Sequence, residues 1–236
     1  MKDRKLIDIN LPFCLNALML FLIAFIFISV VLLIWSVTVN NTRGIYFFKP
    51  LSTILIILLC LLSLTRPGVN VFYAMIIAAG LLFSLGGDIA LMFTSERSFL
   101  TGLVLFLTAH ILYSIGFTWF NGILRQDFIF VLPVLVIGST AIYAFLYPGL
   151  GKMKIPVSFY VLVITFMVWR AVSTLFGTAF SPLQAILITD GAILFYLSDV
   201  ILAFGEFKPP FYCAHTLNLL TYYAAQLLIA LSASYF

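Results

Sequence analysis

The sequence predicts an all-α polytopic membrane protein: eight transmembrane helices forming a single transmembrane helical domain over residues 1–236. Three observations carry that expectation. Of its 236 residues, 64% are hydrophobic and 8% charged, where a soluble domain carries about 25% charged. Mean hydropathy is +1.22, which suits a chain whose solvent is lipid. Finally, the apolar residues fall into eight stretches of roughly the 20 residues a span needs, separated by short connectors rich in turn formers and charge.

The elements come in this order. "MKDRKLIDIN" is basic and leads into an apolar run from Leu15 to Trp35, longer than the about 7–15 residues of a cleaved leader, so it reads as a retained first helix over 15–36. "NNTRG" leads to the second, 45–64; "TRPGVN" to the third, 71–93; "TSER" to the fourth, 98–119. "NGILRQD" leads to the fifth, 128–147; "YPGLGKMK" to the sixth, 155–175; "FGTAFSP" to the seventh, 183–205; "GEFKPP" to the eighth, 211–233. Connectors this short make neighbours antiparallel and leave no room for a soluble domain. Any chemistry belongs among the helices or at the membrane surface.

The net charge of +4 is scattered over termini and loops, a pattern of topology and lipid-surface charge with no nucleic-acid patch. Lys2, Arg4, Lys5, Arg66 and Arg125 fall on one side and Arg43, Lys49, Arg97, Lys152, Lys154 and Lys208 on the other. The balance leaves the orientation to the first helix, which leans toward a cytoplasmic amino terminus. Cys14, Cys60 and Cys213 show no paired spacing and read as small buried residues.

An offset of 111 residues brings Gly80 onto Gly191 and Asp88 onto Asp199, and superimposes the first four spans on the last four. A 4+4 parallel repeat about an axis along the membrane normal is the expectation; the alternative is that evenly spaced helices match under any such shift. Independently of the repeat, helices 3 and 7 run the same way. Asp88 and Asp199 each stand five or six residues before the expected end of their span, roughly 8 Å inside the same membrane face.

An ionisable residue at bilayer depth costs about 2.5–3.5 kcal/mol and normally faces the bundle interior. Lys49 opens the second span, beside a Pro50 suited to a first helical turn, and can reach the aspartate layer or snorkel at the interface. His110 and Tyr113 share a face of the fourth span, as a site or as interhelical hydrogen bonders. His215, Asn218, Tyr222 and Gln226 make one polar stripe on the eighth. Tyr196 precedes Asp199 by three residues and shares its face. Arg170 and Asp190 lie toward the opposite membrane face and read as a structural ion pair.

Two carboxylates in one low-dielectric site do not both ionise easily, so one keeps a proton beside an anion. That pairing suits a reaction through an oxocarbenium ion, by analogy with glycosidases. Catalytic zinc takes three protein ligands, and the chain has two histidines. No GxSxG, Walker A or GxGxxG occurs, which argues against serine hydrolysis and nucleotide binding.

"FFKPLS", "LLFSLGGDIALM", "LTAHILY", "AILFYLSDVILA" and "YYAAQLLIA" together resemble the YhhN family, the lysoplasmalogenases, from about Lys49 to Ala230. The resemblance implies an integral membrane hydrolase of the bacterial inner membrane or a eukaryotic endomembrane. It would cleave the vinyl ether of lysoplasmalogens to a fatty aldehyde and glycerophospho-ethanolamine or -choline, with no cofactor or metal, and its partners would be a lysophospholipid substrate and the bilayer. It points to Lys49, Gly87, Asp88, His110, Tyr113, Ser198, Asp199 and Gln226. Asp88 and Asp199 would be the acid and the stabilising anion, in either order. Lys49, His110, Tyr113, Tyr196, Ser198, Asn218, Tyr222 and Gln226 would bind substrate. The rival from another class is a transporter or channel for a small solute or lipid, which polar helix faces and a buried ion pair also suit; helices 3 and 7 carry no mid-span proline break. A lipid-organising scaffold is a third reading, though it needs no two acids at one depth.

Overall fold

The computed structural model describes residues 2–123, 127–209 and 213–235, with side chains from residue 16 and not that of residue 127. The Cys14 side chain, the basic leader's side chains and Arg125 lie outside the described residues. Eight helices succeed one another: α1 (Lys2–Thr38), α2 (Thr42–Leu62), α3 (Val71–Ala90), α4 (Glu96–Asn121), α5 (Leu132–Leu146), α6 (Lys154–Ser173), α7 (Pro182–Phe207) and α8 (Ala214–Ser232). Each belongs to a segment long and apolar enough to cross a membrane. The chain is therefore a multi-pass, all-helical integral membrane protein, with no strand among the described residues.

Small polar residues set the starts. The side chain of Asn41 accepts from the Gly44 N–H at 3.2 Å, that of Asn70 from Tyr73 N–H at 3.0 Å and that of Ser95 from Ser98 N–H at 3.0 Å. Each satisfies a donor that a helix amino terminus leaves orphaned. Ser181 does the same for α7, ahead of Pro182. The Asn41 cap begins α2 earlier than hydropathy suggests. Pro50 therefore lies two turns inside the helix, not in its first turn, and Tyr46 loses the helical donor its carbonyl would have had.

α3 packs closely on α4, and α7 on α8. The residues that allow it are Gly80 and Gly191. A Cβ on Gly80 would drive into the Tyr113 ring of α4, and one on Gly191 would meet Ile229 Cγ1 at 2.8 Å and the Ala225 carbonyl of α8 at 3.2 Å. α2 lies against α8, and α4 against α6, joining the first four helices to the last four. α5 is peripheral: 11% of its span is buried, against 50% for α3 and α8.

α1, α3, α5 and α7 end where α2, α4, α6 and α8 begin, so Asp88 and Asp199 do approach one end of the bundle. Their distances from the helix ends differ from the expected five or six residues. α3 closes into a turn after Ala90, placing Asp88 two residues from its helix end, whereas α7 runs on to Phe207, eight residues past Asp199. Counted from helix ends, the two stand ~3 Å and ~12 Å inside.

The expected Arg170–Asp190 pair also does not form among the described residues. Asp190 is exposed while Arg170 is fully buried. The guanidinium donates to Thr118 Oγ1 at 3.0 Å, to Ser173 Oγ at 3.1 Å and to the Gly122 carbonyl. Sharing a membrane face fixes depth alone; Asp190 is rotated to the outer side of α7.

Candidate functional site at one end of the bundle

A cavity of about 800 Å³ opens at the end where α3 and α7 terminate. Of the ten residues given a catalytic or substrate-binding role from the sequence, six line it: Lys49, Asp88, Ser198, Asp199, Asn218 and Tyr222. His215 stands exposed at its edge. His110, Tyr113 and Gln226 are fully buried behind the wall. Tyr196 faces elsewhere, onto a narrow apolar crevice of about 70 Å³.

Asp88 is 2% exposed and well supplied with donors. Lys49 Nζ lies 3.7 Å from Oδ1. Thr53 Oγ1 and Tyr222 Oη donate to Oδ2 at 2.6 and 2.8 Å. Buried charge is tolerable only when paired and hydrogen-bonded in this way. Thr53 follows Lys49 by one helical turn and so shares its face. Lys49 is itself held, because Tyr223 Oη donates to its carbonyl at 3.0 Å.

Behind Asp88 runs a chain of hydrogen bonds. Tyr113 Oη donates to Gln226 Oε1 at 2.9 Å, Gln226 Nε2 donates to Tyr222 Oη at 3.1 Å, and Tyr222 donates to the carboxylate. Successive donors polarise one another. Tyr113 and Gln226 thus reach Asp88 through Tyr222 and do not face the cavity.

Asp199 is served differently. Tyr160 Oη donates to Oδ2 at 2.6 Å. His110 Nε2 stands 3.6 Å from the same oxygen, too far for a hydrogen bond, and neither ring nitrogen finds a partner among the described residues. The imidazole is wedged edge-on against Phe195 and Tyr160, with ring centroids at 4.6 and 5.3 Å. Next to Asp199, Ser198 and Asn218 clamp α7 to α8: Asn218 Nδ2 donates to the Ser198 carbonyl at 2.8 Å and to its Oγ at 3.0 Å.

Aromatic rings from α4, α7 and α8 pack together at the cavity wall. Phe106, Phe195 and Tyr222 meet edge to face at 5.4–6.2 Å, and Gly87 leaves the room that the Phe106 ring fills. Among the described residues, no group of three or more His, Cys, Asp or Glu side chains comes together in a way that could hold a metal ion.

Thr53 and Tyr160 were not singled out from the sequence. Thr53 could have been found as the residue one turn beyond Lys49. Tyr160 stands 111 residues after Lys49, the offset that relates Asp88 to Asp199.

A family model described as the YhhN family matches residues 44–233. The chain is 39% identical over 160 residues to the lysoplasmalogenase TMEM86A of Bos taurus, covering 66% of this chain and 64% of that protein. It is 35% identical to lysoplasmalogenase TMEM86A of Homo sapiens, with the same coverage. With lysoplasmalogenase TMEM86B of Homo sapiens the identity is 34%, over 68% of this chain and 64% of the relative. The matched part of the chain thus spans less than two thirds of these relatives' own length. No solved structure matches.

Proposed function

The chain belongs to the YhhN family, and from that premise we propose that it hydrolyses the vinyl ether of lysoplasmalogens by acid–base catalysis, releasing a fatty aldehyde and a glycerophospho-base. The observation that carries the reading is that Asp88 and Asp199, from two different helices, line one cavity at the membrane end of the bundle.

Vinyl ether hydrolysis begins with proton transfer to the β-carbon. This leaves an oxocarbenium ion, which water captures at the carbon bearing oxygen. The resulting hemiacetal collapses to aldehyde and alcohol, so that one water is consumed and the catalytic proton is returned. The protein must supply an acid close to the alkene carbon and an anion close to the cation. Asp88, with an ammonium and two hydroxyl donors about it, suits the stabilising anion. Asp199, with one hydroxyl donor and an unpartnered imidazole beside it, suits the proton carrier. Asp88 also suits the task of taking a proton from the attacking water. Lys49 lies where a lipid phosphate could pass, and Asn218 and Tyr222 offer polar contacts to the glycerol.

The test is mass spectrometry of alkenyl-glycerophosphoethanolamine incubated with purified protein. Aldehyde release is expected from the wild type. Asp199→Asn and Asp88→Asn are each expected to lower the rate by about 10²–10⁴-fold, the range for loss of a general acid or base. Near-wild-type turnover by either folded variant removes that residue from the mechanism.

A further inference from the structure

We propose that the crevice behind Asp199 seats the first few carbons of the substrate's hydrocarbon chain. The inference rests on the vinyl ether reaction proposed above and adds where the alkenyl tail lies. The crevice is enclosed by α4, α5, α6 and α7, with Leu103, Ile142, Val157, Val161 and Ala203 among its walls. Four polar side chains reach it, and all are occupied. Ser139 and Tyr196 share a hydrogen bond of 2.9 Å, Thr165 donates to Ser139 at 2.7 Å, and Tyr160 donates to Asp199. The surface therefore offers hydrocarbon and one carboxylate, a match for an alkyl chain carrying a reactive carbon at its polar end.

The position of that carboxylate is the stronger argument. Asp199, Phe106 and Leu202 belong to the walls of both the crevice and the large cavity, whereas Asp88 belongs to the cavity alone. A lysoplasmalogen changes from polar to apolar at its vinyl ether, so the carbon to be protonated sits on that boundary. Asp199 is the acid that stands on the corresponding boundary of the protein. The outer wall is α5, the helix with least buried surface, and the Ser139–Tyr196 bond ties it to α7. A chain arriving from the bilayer enters between these two helices when that bond opens.

The experiment uses a saturated alkyl-ether lysophosphatidylethanolamine, which the reaction cannot cleave, with a diazirine close to the ether end of its chain. It is photolysed on the full-length protein in detergent, and the adducts are mapped by peptide mass spectrometry. Adducts are expected on Leu103, Ile142, Val157 and Val161, displaced by the unlabelled ether but not by a diacyl phospholipid. Ala203→Trp, which fills the crevice, is expected to cut this labelling by about tenfold, the effect of overpacking one wall. Mapping on the wild type needs no variant to fold. Adducts confined to outward-facing residues such as Phe159 and Leu162 overturn the proposal, as does equal displacement by diacyl lipid, which marks a groove for bilayer lipid. Aldehyde release is assayed in parallel. Release with labelling elsewhere defeats the chain site alone, and crevice labelling without release defeats the reaction alone.

Discussion

Asp88 and Asp199 line one cavity and live in different surroundings. Each stands on the third helix of its four. Each is met by the second helix of its own four and by the fourth helix of the other: Lys49, Thr53 and Tyr222 for Asp88, Tyr160 and His110 for Asp199. Lys49 and Tyr160 are 111 residues apart, as are the two aspartates and Gly80 and Gly191. The spacing in the sequence recurs, but the chemistry around the two acids does not. One acid has a cation and two hydroxyls; the other has one hydroxyl and a histidine whose Nε2 stands 3.6 Å away, beyond hydrogen-bond reach. Geometry that brings two carboxylates to one cavity does not make them equivalent, and the donors around each decide what it can do.

The comparison can be broken most forcefully at Lys49. Lys49→Met leaves the Asp88 carboxylate buried beside an apolar chain and is expected to cost about 3–5 kcal/mol, as breaking buried ion pairs does. A thermal shift in detergent reads it, and an unchanged melting temperature would mean that Lys49 and Asp88 are not paired. Tyr160→Phe removes the hydroxyl donor of Asp199 and is expected to cost about 1–3 kcal/mol of stability, with a larger loss of aldehyde release than Tyr222→Phe. The latter leaves Asp88 with Lys49 and Thr53. Equal losses in the two variants would erase the distinction drawn between the acids. The smallest effect is expected from Tyr113→Phe, which breaks the hydrogen-bond chain two links from Asp88. It should lower kcat by no more than about tenfold, worth roughly 1.4 kcal/mol, with KM unchanged; a raised KM would place Tyr113 against substrate instead.

Much of this arrangement is legible in the chain itself, for identifiable reasons. Span number and direction derive from apolar length and short connectors, so Lys49, Asp88, Asp199 and Tyr222 can be assigned to one membrane end from the sequence alone. Rotation about the helix axis is harder. It changes by about 100° per residue, and in a bundle where lipid and protein faces are both apolar, composition marks it weakly. Asp190 is the clear case: its depth suited Arg170 and its azimuth did not. Helix starts are misjudged where a single asparagine sets them, since hydropathy averages over the Asn41 cap that moves Pro50 inside α2. Thr53 escapes notice because a threonine hydroxyl in an apolar helix can bond its own backbone as readily as a neighbour, and Tyr160 because a tyrosine in such a helix reads as packing or as an interface anchor.

The position of Asp199 between a cavity with polar walls and an apolar crevice also bears on the fate of the products. On the proposed reaction, scission there leaves a water-soluble fragment on one side of the carboxylate and an oily fragment on the other. The former would leave through the large cavity, and the latter outward past α5. Neither must cross the other's path, so the protein would deliver its two products to two phases from a single stationary point.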